Sequence, residues 1–455
     1  MAKSSPRKII IIGLGTGGLY ASRAASRVDR RAEITIIERR EYDMFSPCGL
    51  PYALEGKVGS FEDLKHVVPT TRQLSKLLRH EVLRIDTKGK RVEVKSLKSG
   101  EVTWMKYDSL VISAGSRPVI LPVSGAHELL GRGVYVFTNP EEAQVLKEAA
   151  LKSKRAVVIG GGAIGLEIAF ALKELGLKVG VTKRSPPPFP RNLDPDMGEI
   201  IRSYLESEGL DIWFGKGIDK INGKDRVESV EIAGETIPTD LVVMAVGVSP
   251  ETKLAEEAGI KVDRGGIVVN ERLQTSVPDV YALGDCAQTF SGIDGKPINV
   301  ALATAAFKQA AIAGINAAGG DAVYDGDLGT FVSFIGDLEI ACSGYNTSTA
   351  ERNGIEVLSG RVNMQIKPRW MPGAKDISVK VVVDASNGQI IGGQSIGEEG
   401  AAWRVNVIAL AIKAKMKIDD FCKLELAYCP AVSELYDPLQ AAADSVLRKY
   451  ERKSK

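Results

Sequence analysis

Two copies of one unit limit this 455-residue chain to few architectures: an apolar run, a glycine-rich turn, a small-residue helix and a second apolar run. In the first copy, Lys8-Ile9-Ile10-Ile11-Ile12 is continuously apolar after its lysine, as a strand covered on both faces is. It runs into Gly13-Leu14-Gly15-Thr16-Gly17-Gly18. Glycines at Gly13, Gly15 and Gly18 allow a tight turn and let a helix N-terminus approach a pyrophosphate. Ala21, Ser22, Ala24 and Ala25 mark the helix, and the strand Glu33-Ile34-Thr35-Ile36-Ile37 ends beside Glu38 and Arg39. An acidic group at that point can accept both hydroxyls of an adenosine ribose.

In the second copy, Arg155-Ala156-Val157-Val158-Ile159 leads into Gly160-Gly161-Gly162-Ala163-Ile164-Gly165, with Glu167 in a helix predicted from Leu166 to Leu175. The next strand, Lys178 to Thr182, ends at Lys183-Arg184. Two cations cannot accept ribose hydroxyls but suit a 2′-phosphate, so NADPH is expected over NADH. The alternative is a solvated basic turn, because Ser185-Pro186-Pro187-Pro188 follows. Two nucleotide sites in one chain imply two nucleotides that exchange electrons. No side chain holds a hydride stably, so FAD and NADPH (or NADH) are the expected occupants.

A sulfur stop for those electrons lies in Phe45-Ser46-Pro47-Cys48-Gly49-Leu50-Pro51-Tyr52. Cys48 stands at the mouth of a predicted helix, Pro51 fits the first turn, and the helix N-terminus favours a thiolate. A buried cysteine in a Gly-Pro turn is the plainer reading for an isolated residue. The neighbouring nucleotide units favour the reactive one.

Four more phrases complete a pattern: Ser113-Ala114-Gly115-Ser116-Arg117-Pro118, Thr275 to Asp285, Val246-Gly247-Val248-Ser249-Pro250, and Ala301-Leu302-Ala303-Thr304-Ala305-Ala306. With the glycine loops and the Cys48 phrase, the chain resembles the pyridine nucleotide-disulfide oxidoreductases. The similarity is to the branch with a single active-site cysteine, which includes coenzyme A disulfide reductases, NAD(P)H persulfide reductases, NADH oxidases and NADH peroxidases. The resemblance implies an α/β fold of two Rossmann-like nucleotide-binding domains plus a C-terminal α+β dimerisation domain. It implies an FAD domain at 1–118 and 249–327, split by an NAD(P)H domain at 119–248, with dimerisation at 328–455. It also implies that Ala114, Gly115, Gly247 and Ala301 line the cofactor sites and that Asp285 holds the ribityl-pyrophosphate region. A homodimer whose active sites are each completed by the partner chain follows from the same resemblance.

Ala427-Tyr428-Cys429-Pro430-Ala431-Val432-Ser433-Glu434 resembles the family's C-terminal active-site segment. Tyr428 matches a tyrosine of the coenzyme A disulfide reductases and is expected to protonate or orient a leaving thiolate. Glu434 matches the glutamate of the two-cysteine reductases, and Cys429 stands where those enzymes carry a histidine. Cys429 either faces Cys48 across the dimer as a redox pair or is a small buried residue.

Thr16 occupies the place where oxidases and peroxidases of the branch carry a histidine, and His66, His80 and His127 lie outside the motifs. A hydroxyl is no general base near neutral pH, so the substrate is expected on the thiol side. Arg23 and Arg27 share one helix face. Together with Ser46 and Trp370, they are the expected substrate contacts. Pro47 and Trp370-Met371-Pro372-Gly373 depart from the coenzyme A disulfide reductase pattern at an asparagine and a Tyr-Tyr-Pro-Gly phrase. A low-molecular-weight disulfide, persulfide or polysulfide is therefore expected. The alternatives are an NAD(P)H oxidase reducing oxygen and a flavin reductase serving an electron-carrier protein.

A net charge of +2 without a basic tract speaks against nucleic acid. No apolar stretch reaches the roughly 20 residues of a membrane span. The polar start, Met1 to Lys8, carries no signal-peptide pattern. Five scattered cysteines fit a reducing cytoplasm, with Cys286, Cys342 and Cys422 expected in the core. No Cys/His spacing suggests a metal. Beyond Leu328, Thr330 to Ile335 and Ile377 to Val383 read as strands, Asn387-Gly388 as a hairpin turn, and Ala401 to about Lys415 as a helix.

Overall fold

A computed structural model describes residues 5–453. The first apolar run forms the strand Lys8–Ile12 at the centre of a five-stranded parallel sheet. Glu33–Ile37 and Ser109–Ile112 flank it, and Leu74–Leu77 and Val280–Ala282 lie outside them. A strand paired on both edges and covered on both faces has no side for polar residues, and Ile9, Ile10 and Ile11 are buried. The helix Thr16–Val28 packs on the helix Ala303–Ala317 through small residues. A Cβ at Gly314 would stand 2.3 Å from the Ala21 carbonyl oxygen, so this close approach requires glycine.

The second repeat builds a second five-stranded parallel sheet with Arg155–Ile159 at its centre. Lys178–Lys183 and Leu241–Met244 flank that strand, with Asp211–Phe214 and Val134–Tyr135 outermost. Each glycine loop thus leaves the carboxyl end of a central strand, where open parallel sheets bind ligands.

The C-terminal residues form an antiparallel sheet in the order Phe331–Ile335, Leu338–Gly344, Ile390–Gly397, Asp376–Asp384, Val357–Gln365. The helices Ala401–Lys413 and Pro438–Lys453 pack on it. The first ends before the expected Lys415 because that residue turns left-handed, at φ 51°. Residues 385–389 connect the strands around Asn387-Gly388, with the Gly388 N–H donating to the Asp384 carbonyl at 2.9 Å. This loop is longer than the two-residue turn that Asn-Gly signals.

Two compact units result. One comprises the residues up to Leu50, Gly59–Pro118 and Val248–Asp327; the other comprises Pro51–Val58, Val119–Gly247 and the chain from Leu328. No helix among the described residues is long and apolar enough to cross a membrane. Cys286 and Cys342 are core residues, and burial pushes their thiols up to about 11 and about 12. The core expectation fails for Cys422, which is half-buried. Partial burial and the neighbouring Asp444 carboxylate push its thiol up to about 12.

Candidate functional site

In both glycine loops the outer glycines are dictated by packing and the middle one by open space. A Cβ at Gly13 would stand 2.3 Å from the Ser113 carbonyl oxygen, and one at Gly18 2.0 Å from that of Gly13. The corresponding approaches are 2.1 Å at Gly160, to Ala245, and 2.2 Å at Gly165, to Gly160. Positions Gly15 and Gly162 meet nothing within 4 Å. These two are also the N-cap residues of the helices beginning at Thr16 and Ala163, and neither helix receives a side-chain cap. First-turn N–H groups therefore face a cradle shaped for an anion, which fits the pyrophosphates of FAD and of NAD(P)H. Ile164 sits half-exposed in the first turn of the second helix.

Glu38 is buried and held by three hydrogen bonds from two residues. Its Oε2 accepts from the Leu14 N–H at 2.8 Å and Arg40 Nη2 at 2.7 Å, while Oε1 accepts from the Arg40 N–H at 3.0 Å. Arg40 Nη2 also donates to the Leu14 carbonyl at 2.9 Å, closing a ring between the glycine loop and the strand end. Burial pushes the carboxyl up, but the Arg40 bonds and charge and the Leu14 N–H outweigh it and leave it below its ordinary value. Lone pairs remain on Oε1 for a ribose hydroxyl. The organising cation is Arg40; Arg39 is exposed and 3.4 Å from Glu81.

A carboxylate depressed on folding contributes stability above its ordinary pKa of 4.5 and loses it as pH falls through the folded value. The thermal-stability advantage of the wild type over Glu38→Gln should therefore be full at pH 7 and shrink below about pH 4.5. Paired melting curves across that range check it.

Asp285 lies in the 3₁₀ turn Gly284–Cys286. Burial pushes its carboxyl up, opposed by Ser116 Oγ, which donates to Oδ2 at 2.9 Å and ties together two of the flavin-domain phrases. Two amides missed in the sequence hold the turn. Asn299 Nδ2 donates to the carbonyls of Gly265 (2.7 Å), Asp285 (2.9 Å) and Ala287 (2.9 Å). Gln309 Oε1 accepts from the Gly284 N–H at 2.7 Å, its Nε2 donating to Asp327 at 3.1 Å. Gly115 and Gly247 take φ of 75° and 104°, where a side chain would be strained. Ala114 is half-buried beside Gly115. Within the Ala301–Ala306 phrase the helix begins at Ala303, and Ala301 itself is left-handed at φ 46°.

The two cations of the second site differ in surroundings. Lys183 Nζ donates to the Ser185 hydroxyl and, at 3.2 Å, to its carbonyl, and burial lowers its pKa. Arg184 is exposed. Glu167 lies in the helix Ala163–Glu174. It accepts from Ser333 Oγ at 2.6 Å, burial pushes its carboxyl up, and it borders a cavity of about 20 Å³ with Tyr52, Lys57 and Phe334.

Cys48 is exposed inside the 3₁₀ turn Pro47–Gly49, which precedes the short helix Leu50–Glu55. The helix expected behind it therefore sums few peptide dipoles. Gly49 donates to the Ser46 carbonyl at 3.0 Å, and a Cβ at Gly49 would lie 2.4 Å from Leu64 Cδ2, so Leu64 fixes this turn against the protein. Ser46 Oγ lies 2.7 Å from His66 Nε2, a pairing invisible in the sequence.

Of the expected substrate contacts, Arg23 and Arg27 are exposed on their helix, Arg23 lying 5.2 Å over the Tyr20 ring. Trp370 is 71% exposed in the second unit. Tyr428, Cys429 and Glu434 lie in the second unit on an irregular segment. Ser433, buried, donates to the Ala427 carbonyl at 3.1 Å, while the Val432 and Ser433 N–H groups donate to the Cys429 carbonyl at 2.8 Å. Cys429 itself is exposed in the single chain. Glu434 Oε1 accepts from the Leu435 N–H at 2.9 Å.

A family model of the pyridine nucleotide-disulphide oxidoreductases matches residues 7–310, and one for the family's dimerisation domain matches 331–439. An NADH oxidase of Methanocaldococcus jannaschii is 35% identical, over 98% of this chain and 100% of that protein. An NAD(P)H sulfur oxidoreductase (CoA-dependent) of Pyrococcus abyssi is 32% identical, over 96% of this chain and 97% of its own. Among solved structures, an NAD-dependent persulfide reductase from A. fulgidus matches with a TM-score of 0.92 and 32% identity, covering 98% of this chain and 84% of that one. With two nucleotide cradles, an exposed cysteine beyond the first and a matched dimerisation domain, the chain belongs to the pyridine nucleotide-disulphide oxidoreductase family, whose cofactors are FAD and NAD(P)H.

Proposed function

We propose that this protein uses NAD(P)H, NADPH in preference, to reduce a low-molecular-weight disulfide, persulfide or polysulfide at Cys48. The exposed Cys48 thiol, held in a packed turn of the flavin-binding unit, carries the reading. FAD, when bound, takes a hydride from NAD(P)H and supplies two electrons to sulfur. Glu38 and the Gly13–Gly18 loop would hold the adenosine end of FAD, with Asp285 at the ribityl-pyrophosphate. Loop Gly160–Gly165 would hold NADPH, and Arg184, the more exposed of the two cations, would take its 2′-phosphate.

The Cys48 thiolate attacks one sulfur of the substrate, forming a mixed disulfide and releasing the other sulfur as a thiolate. Tyr428 of the partner subunit would be the donor that protonates this leaving group. The matched dimerisation domain supports the dimer. So do the exposed apolar side chains of Trp403, Leu410, Val432 and Leu435 in the second unit. A reducing cytoplasm suits a protein whose exposed Cys48 and Cys429 must remain thiols between turnovers.

The relative named NADH oxidase raises oxygen as a second acceptor. Thr16 at the loop position weighs against it, since it offers no group that changes charge near neutral pH. The test is anaerobic oxidation of NADPH and of NADH with coenzyme A disulfide, glutathione persulfide and polysulfide, beside oxygen uptake in air. Faster turnover with a sulfur acceptor, and a higher kcat/KM for NADPH, is the expected result. Oxygen uptake without sulfur turnover would overturn the proposal.

A further inference from the structure

A short pair of strands brings one histidine to the cysteine phrase. Met44–Phe45 and Lys65–His66 form a two-stranded antiparallel ribbon in which Met44 pairs with His66. The ribbon continues one residue further, where the Ser46 N–H donates to the Leu64 carbonyl at 2.9 Å. His66 is thereby delivered to Ser46, the residue that precedes the Cys48 turn, and Nε2 lies 2.7 Å from Ser46 Oγ.

Ser46 is the N-cap of that turn, where a serine ordinarily turns its oxygen to a first-turn N–H. Here it makes no such cap, and its hydroxyl is engaged by the imidazole instead. The short helix behind Cys48 sums few peptide dipoles, so a nearby cation adds to the small bias toward the thiolate that the helix supplies. The other charged groups around the ribbon are already matched. Lys65 pairs with Glu62 at 2.6 Å, Lys76 with Asp43 at 2.6 Å, and Arg40 with Glu38 at 2.7 Å. Asp63 accepts from the Ser60 N–H and hydroxyl at 2.8 and 3.0 Å. His66 is exposed, and histidine changes charge between about pH 5 and 8.

We infer that His66, held in place by Ser46, is a positioning residue whose positive charge favours the Cys48 thiolate and makes the reactivity of Cys48 depend on the imidazole. In its protonated form His66 donates from Nε2 to the Ser46 oxygen, which fixes the cation beside the turn. In its neutral form the cation is gone, and the thiolate is favoured less. This rests on Cys48 being the reactive thiol proposed above.

The test uses the FAD-loaded, reduced protein under anaerobic conditions. The rate of Cys48 alkylation by iodoacetamide is followed from pH 5 to 9, with peptide mapping to separate Cys48 from Cys429. Wild type, His66→Gln, Ser46→Ala and Ser46→Thr are compared, and retained flavin absorbance and melting temperature report folding. The expected result is a wild-type profile with two steps, one of them between about pH 5 and 8. In His66→Gln that lower step disappears and alkylation near pH 6 slows about fivefold, a fraction of what an adjacent cation can do. Ser46→Ala should behave in the same direction, and Ser46→Thr, which keeps the hydroxyl, should restore the wild-type profile. Superimposable profiles in all four proteins would overturn the inference. Loss of the reading it rests on is distinguishable: sulfur-acceptor turnover would then persist in Cys48→Ser, whatever the alkylation profiles.

Discussion

Cys48→Ser should lower anaerobic turnover with the sulfur acceptor by about a thousandfold or more, the scale on which loss of a covalent nucleophile acts. The reason is ionisation. A thiolate attacks a disulfide sulfur, and a serine hydroxyl does not form its anion near neutral pH. The loss should fall on kcat and leave structure intact, because Cys48 is exposed and its removal opens no cavity in the core. The glycine loops and the Asp285 turn do not depend on the thiol, so the variant should retain flavin and be reduced by NADPH at an unchanged rate. Stopped-flow bleaching of the flavin, measured beside steady-state turnover, separates the two half-reactions. Unchanged bleaching with abolished turnover places the defect at sulfur. Persistent sulfur turnover would remove Cys48 from the reaction. Cys429→Ser is the informative companion: retained turnover there assigns the oxidised partner of Cys48 to the substrate thiol and not to Cys429.

The doubled nucleotide unit was legible because the constraint is local. Two parallel strands, a turn with no room for a Cβ and a helix start follow one another along the chain, and the clashes at Gly13, Gly18, Gly160 and Gly165 explain why these spacings are kept. Strand edges were also legible, to within one or two residues, where burial on both faces removes polar alternation, as at Lys8–Ile12. What was not legible is held by long-range hydrogen bonds. Arg40 reads in sequence as a charge after a strand, yet it clamps Glu38 and Leu14. Asn299 and Gln309 belong to no motif and become visible only when the Asp285 turn lies beside them. His66 stands twenty positions from Ser46, and only the ribbon pairing Met44 with His66 brings it there. The left-handed Ala301 is a miss of another kind, since nothing in an alanine announces a positive φ.

Arg404→Ala should destabilise the second unit by about 3–5 kcal/mol, the usual result of removing one partner of a buried ion pair. Arg404 and Asp437 are almost completely buried, at 1% and 3% side-chain exposure, and meet in a two-pronged contact of 3.0 Å (Nε to Oδ1) and 2.7 Å (Nη2 to Oδ2). Arg404 Nη1 also donates to the Gly400 carbonyl at 2.9 Å, at the start of its own helix. Asp437 has a second duty, since its Oδ1 accepts from the Leu439 N–H at 2.8 Å at the start of the helix Pro438–Lys453. The pair therefore fastens the end of the segment bearing Tyr428, Cys429 and Glu434 to the helix Ala401–Lys413. Truncating Arg404 leaves a buried carboxylate without its cation and frees that segment at one end. Chemical denaturation should show the loss in stability, and limited proteolysis should show new cleavage between Ala427 and Tyr436. Arg404→Met combined with Asp437→Asn should recover most of the loss, because an uncharged amide still caps the helix while no ion is stranded. A single substitution that left both stability and cleavage unchanged would mean that the pair is dispensable and that the segment is held by the Ser433 hydrogen bonds alone.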